Sequence, residues 1–87
     1  MDINSLVAMA NRIGDFFDAF PDIQEGMQGV VGHIRDNWEV RMRLQLAAHL
    51  DATAQTGLTP FVERALRTIP DRWRVAQAPG VQTSSPL

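Results

Sequence analysis

Few side chains in this chain could do chemistry, and their spacing decides what that chemistry could be. His33 and His49 are its two histidines, sixteen positions apart. No His-Glu-x-x-His motif and no second His at i+4 occurs, so a zinc site would need both distant histidines plus carboxylates. There is no cysteine, so disulfides, thiolate nucleophiles and Cys-ligated zinc or iron–sulfur sites are excluded. Paired acids for general acid–base work would have to come from Asp15, Asp18 and Asp22. These gather around Pro21 at a helix end, where solvated turn acids are the ordinary case. Gly26, Gly29 and Gly32 follow no strand and match no phosphate-cradling loop. The histidines therefore read as structural or surface residues, and nothing points to a reaction carried out by this chain.

Recognition is the chemistry that remains. From His33 to Arg43, eleven positions hold one Trp, one His and three Arg. A junction between two helices needs only a turn, whereas Trp and Arg are the residues that most often anchor one protein on another.

Composition bounds the rest. Eighty-seven residues make one domain, which at this size removes only about 60–65% of its surface from water and has modest stability by itself. Apolar residues are 45% of the chain, enough for a core. No apolar run approaches the ~18 residues of a membrane span, and Met1-Asp2-Ile3-Asn4 lacks the basic start of a signal peptide, so a cytoplasmic protein is expected. The net charge of −2 argues against nucleic acid, which requires a basic face. Arg12, Arg35, Arg41 and Arg43 are interleaved with acids, so no basic recognition helix emerges from the helical pattern. All eight basic residues are Arg, which suits interfacial ion pairs better than Lys does.

The elements that must position these residues are helices. Periodicity predicts an all-α fold, a small bundle of about four helices over residues 1–74, followed by a Pro/Gly/Ser-rich flexible tail over 75–87. Helix one is expected from Ile3 or Ser5 to Phe20, closed by Pro21. Its apolar residues cover about half the circumference, more than the ~100° stripe a surface helix needs. Either this helix is central and contacts three others, or it keeps apolar surface for a partner. Helix two begins at the N-cap Asp22 with Glu25 completing a capping box. Ile23, Met27, Val30, Val31, Ile34 and Trp38 form its stripe, with the three glycines off it. Each glycine costs about 1 kcal/mol against Ala, so this helix leans on tertiary contacts. Such glycines could also let another backbone approach, in this chain or a partner.

Helix three is expected over Glu39–Gln55, stopped by Gly57 as C′ residue. Val40, Leu44, Ala47, Leu50 and Ala54 should face the core, with Leu46 on the shoulder. Arg43 falls inside that arc and must snorkel outward or meet an acid, either Glu39 one turn before it or one on a partner. Helix four opens at Thr59-Pro60, N-cap then proline at the first helical position. It buries Phe61, Val62, Ala65, Leu66 and Ile69, can pair Glu63 with Arg67, and should end at Pro70. Asp71 to Arg74 could add a short turn. The candidate partner interface is accordingly Phe16 and Phe20 from the surplus arc of helix one, with Arg35, Trp38, Arg41 and Arg43 from the junction.

Four segments then resemble a known family in order and spacing. They are Leu6 to Phe17 (LVAMANRIGDFF), His33-Ile34-Arg35 leading to Trp38-Glu39-Val40-Arg41-Met42-Arg43, Ala48-His49-Leu50, and Gly57 to Val62 (GLTPFV). Together they are similar to the delta subunit of the soluble, molybdenum-containing, NAD-dependent formate dehydrogenases, over residues 3–66. The sequence departs from that pattern at Asn37 and Val40, where the family usually has an aromatic and a proline. Without that proline, helices two and three could fuse with a bend. The resemblance implies a subunit that holds no cofactor and does no chemistry. It implies binding to the large catalytic subunit and its associated subunits, which carry the molybdopterin, the iron–sulfur clusters and the FMN. The role would be to stabilise that subunit or to help its cofactor-loaded state form. A transient maturation chaperone and a free-standing helical adaptor are the alternatives.

Overall fold

Local capping chemistry decides where two of the four helices begin. The computed structural model describes residues 2–69 and contains four helices: α1 (Ile3–Phe17), α2 (Ile23–Asn37), α3 (Val40–Ala52) and α4 (Pro60–Arg67). The Asp22 carboxylate accepts from the backbone N–H of Gln24 at 2.9 Å and of Glu25 at 3.4 Å, answering two of the donors a helix start leaves over. Thr59 does the same for Val62 at 3.3 Å, with Pro60 at the first helical position. Pro70, the turn expected at Asp71–Arg74 and the tail over 75–87 lie outside the described residues.

Helix ends depart from the sequence reading. α1 stops at Phe17, not Phe20. Ala19 and Phe20 instead donate to the carbonyls three residues back, a tighter turn, and Pro21 disfavours the α conformation at Phe20. α3 stops at Ala52, not Gln55, because Thr53 leaves the helix with extended backbone and its hydroxyl takes the N–H of Gln55 at 3.0 Å. Gly57 is therefore not the C′ residue of α3. It lies in the following loop, at φ +84°, a conformation that favours glycine. α4 ends at Arg67, ahead of Pro70.

Helices α2 and α3 are separate. Trp38 and Glu39 are both extended (φ −94°, ψ 144° and φ −66°, ψ 153°). The Asn37 amide donates to the His33 carbonyl at 2.9 Å in the last turn of α2. The Glu39 carbonyl starts α3 by accepting from Met42 and Arg43. Val40 needs no proline character for the break to form.

α1 packs against α2, α3 and α4, and α2 also packs on α4. That arrangement resolves the broad apolar arc of α1: it is the central helix. Leu6, Ala10 and Gly14 are buried, and Ile3, Val7, Met9, Ile13 and Phe17 are partly covered. The core itself is Leu6, Val30, Ile34, Leu46 and Val62, all fully buried, with Met27, Trp38, Leu50, Leu58, Ala65 and Leu66 around them.

One stripe is rotated from its expected face, and another loses its first member. On α3, Val40 is exposed and Ala54 lies beyond the helix, whereas Leu46, Ala47 and Leu50 are buried. Apolar residues on α3 are spread around its axis, so periodicity alone could not choose between faces; the packing against α1 does. On α2, Ile23 is exposed, a full turn before Met27, the first covered residue of the stripe. Gly26, by contrast, is buried. A Cβ there would lie 2.6 Å from the Phe17 carbonyl oxygen, and one on Gly29 would enter the Phe17 ring. Gly26 therefore admits the backbone at the end of α1, and Gly29 admits the Phe17 ring, both within this chain.

Candidate functional site

The six residues expected at a partner interface fall in two separate places. The first is the corner between α1 and α2. Phe16 is 65% exposed and stands edge-on to Phe17, with ring centroids 4.9 Å apart. Phe20, half-buried, lies 5.8 Å from Phe16 and 5.3 Å from Phe17. Phe17 roots the group: its ring lies against Gly29 and 6.5 Å from the His33 imidazole. Both Phe16 pairs are edge-to-face and the Phe17–Phe20 pair is tilted; together the three rings make a stiff platform, and its outward ring is Phe16.

The second place is the α2–α3 junction. Trp38 belongs to the core, only 7% exposed, so its indole supports the fold and offers almost no area to another protein. Arg35 is exposed and its Nε donates to the adjacent Asp36 carboxylate at 2.9 Å. That hydrogen bond holds Asp36 below the usual carboxylate range and pushes Arg35 up. Between exposed side chains such a pair adds little stability. Arg41 is exposed, while Arg43 is half-buried with its Nε withdrawn from solvent. Phe16 and Phe20 thus belong to the end of α1 and the turn after it, whereas Arg35 lies in the last turn of α2 and Arg41 and Arg43 in α3.

A third cluster was not visible in the sequence pattern: the side chains that tie down the loop between α3 and α4. Asn11 of α1 donates to the Gly57 carbonyl at 3.1 Å and accepts from the Thr59 N–H at 2.9 Å. Thr56, almost fully buried, donates to Glu63 at 3.1 Å and accepts from the Leu58 N–H at 3.1 Å. Its carbonyl accepts from His49 Nε2 at 2.9 Å. Glu63 also takes the Arg67 guanidinium at 2.9 Å; Arg67 first and Thr56 second hold this carboxyl below its usual range. Asn11 and Thr56 look like ordinary polar surface residues in a linear reading. The one local signal is that GLTP must fold over α1 before α4 starts.

These groups satisfy one another. A groove of about 590 Å³ beside α4 is lined by Leu58, Pro60, Glu63, Arg64, Arg67 and Thr68, but its Glu63 and Arg67 are paired with each other. Among the described residues no group of three or more His, Cys, Asp or Glu could hold a metal ion. No helix among them is long and apolar enough to cross a membrane. The geometry offers surfaces for recognition.

The family model described as NADH-dependent formate dehydrogenase delta subunit FdsD matches residues 5–66. No curated protein and no solved structure matches the chain.

Proposed function

We propose that this chain, which belongs to the NADH-dependent formate dehydrogenase delta subunit family, is a non-catalytic accessory subunit that binds and stabilises the large catalytic subunit of that complex. The molybdopterin, iron–sulfur clusters and FMN belong to partner subunits in this reading, and this chain acts by contact alone. The observation that carries it is the exposed Phe16 on its three-ring platform. Phe16 and the half-buried Phe20 lie together rather than scattered singly, and a partner surface would cover both. The weak intrinsic helicity of α2, with Gly26, Gly29 and Gly32 in one element, fits a subunit stabilised further by its complex.

The test is co-expression of the tagged chain with the other formate dehydrogenase subunits, purification through a salt wash, and assay of formate-dependent NAD reduction with and without this chain. The expected result is stoichiometric retention of the catalytic subunit, and lower yield or faster inactivation of the complex when the chain is omitted. Retention only by cofactor-free catalytic subunit would make it a transient maturation chaperone. No retention in either state would refute the accessory role.

A further inference from the structure

We propose that the Phe16–Phe20 corner is the docking surface, and that it seats in an apolar pocket rimmed by lysine or arginine on the catalytic subunit. The identity of the partner rests on the reading above; the chemistry of its pocket follows from this chain alone. Of the apolar side chains of α1, Phe16 is the large one left mostly in solvent. Phe20 lies beside it, and Phe17 behind both is wedged against Gly29. The rings are thus fixed before any partner arrives, and binding need not immobilise them.

Charge gives the rim its sign. Residues 12–32 carry four carboxylates, Asp15, Asp18, Asp22 and Glu25, against the single basic residue Arg12. Residues 33–69 carry five arginines against four acids, so negative charge is concentrated in the stretch of sequence that forms this corner. Asp15 and Asp18, which flank Phe16, are exposed and form no ion pair among the described residues. Opposed potentials steer association and fix register, and like charges brought together resist it.

That polarity decides among occupants. A second copy packed about a two-fold axis would place each corner against itself, bringing Asp15 and Asp18 against their own equivalents. An anionic lipid surface or a nucleic acid backbone would be repelled by the same carboxylates. A protein pocket with an apolar floor and a basic rim matches both features.

The experiment uses the co-expressed complex with the wild-type chain, Phe16→Ala, the double variant Asp15→Lys/Asp18→Lys, and Arg41→Glu as a control at the other site. Melting of each isolated variant accompanies it, and all four altered positions are exposed, so folding should be retained. Phe16→Ala is expected to weaken binding of the catalytic subunit about tenfold or more. The charge reversal should weaken it at low salt, with the difference from wild type shrinking as salt screens the rim. Folded Phe16→Ala or Asp15→Lys/Asp18→Lys binding as tightly as wild type overturns the proposal while leaving the accessory role intact. Loss with Arg41→Glu but not Phe16→Ala also overturns it, placing the contact at the α2–α3 junction. Self-association of the wild-type chain abolished by Phe16→Ala overturns it in favour of a second copy. A wild-type chain that captures no catalytic subunit overturns both readings together.

Discussion

Gly14→Ala is the substitution on which helix propensity and packing disagree most clearly. In the interior of α1, alanine should stabilise by about 1 kcal/mol relative to glycine. The structure predicts the opposite sign. Gly14 is buried where α4 crosses α1, and a Cβ built there would overlap Cγ2 of Val62. Val62 is fully buried, and its branched side chain has little rotameric freedom in a helix. Neither it nor the backbone can yield cheaply, and overpacking of this kind costs about 1–3 kcal/mol. Set against the propensity gain, the net effect is a loss of about 1 kcal/mol, or ~4–8 °C in Tm for a domain of this size. Val62→Ala alone should cost about 2–3 kcal/mol from lost burial and the cavity left behind. In that background the obstruction is gone, so Gly14→Ala should stabilise by about 1 kcal/mol. The coupling between the two sites is then about 2 kcal/mol, within the range for side chains in contact. Thermal and urea unfolding of wild type, both single variants and the double variant measures it, with a stabilising osmolyte to keep Val62→Ala folded. If Gly14→Ala stabilises equally in both backgrounds, the close approach of α1 and α4 at Gly14 is refuted.

Other perturbations test the clasp and the junction. Asn11→Ala should lower stability by about 1–3 kcal/mol, because it removes two hydrogen bonds to the α3–α4 loop; an unfolding midpoint equal to wild type would show that the loop does not need them. The Glu63 carboxyl is held below its usual range first by Arg67 and then by Thr56. Its contribution is present above the unfolded-state value near 4.5 and is lost as pH falls through the lower folded-state value. The Tm advantage of wild type over Glu63→Gln should therefore shrink on acidification, and a gap that widens would contradict the assignment. Trp38→Ala removes a core indole and should cost about 3–5 kcal/mol, a large share of the total for a domain this small. Far-UV circular dichroism of the isolated variant should show lost helix even without a partner; a fully folded variant would place Trp38 outside the core.

What the sequence determined by itself is the set of features closed within about one helical turn. The caps at Asp22 and Thr59, Pro60 at the first position of α4, and the Glu63–Arg67 pair depend on residues two to four positions apart, whose geometry the helix itself supplies. The all-α class follows from the same periodicity, and the family was legible in four short segments in register. The candidate site was legible only as residue types: Phe16 and Phe20 at the end of a broad apolar arc, and arginines near a Trp.

Tertiary structure decided whatever depends on which helix lies across which. Periodicity shows that α1 has a wide apolar arc but not that three helices cover it, nor that Phe16 alone among its large apolar residues stays mostly in water. It set Leu46 on the shoulder of α3 and Val40 in the core, and packing against α1 reverses both. It gave Trp38 to an interface as readily as to the core. Gly14, Gly26 and Gly29 cost helicity in any local account, and only the crossing of α1 with α4 and α2 shows what each glycine admits. Asn11 is polar and solvent-facing on a helical wheel until the loop 46 residues away folds onto it. Such partners are distant in sequence, and their choice is set by shape and burial across the whole bundle, which no single segment encodes.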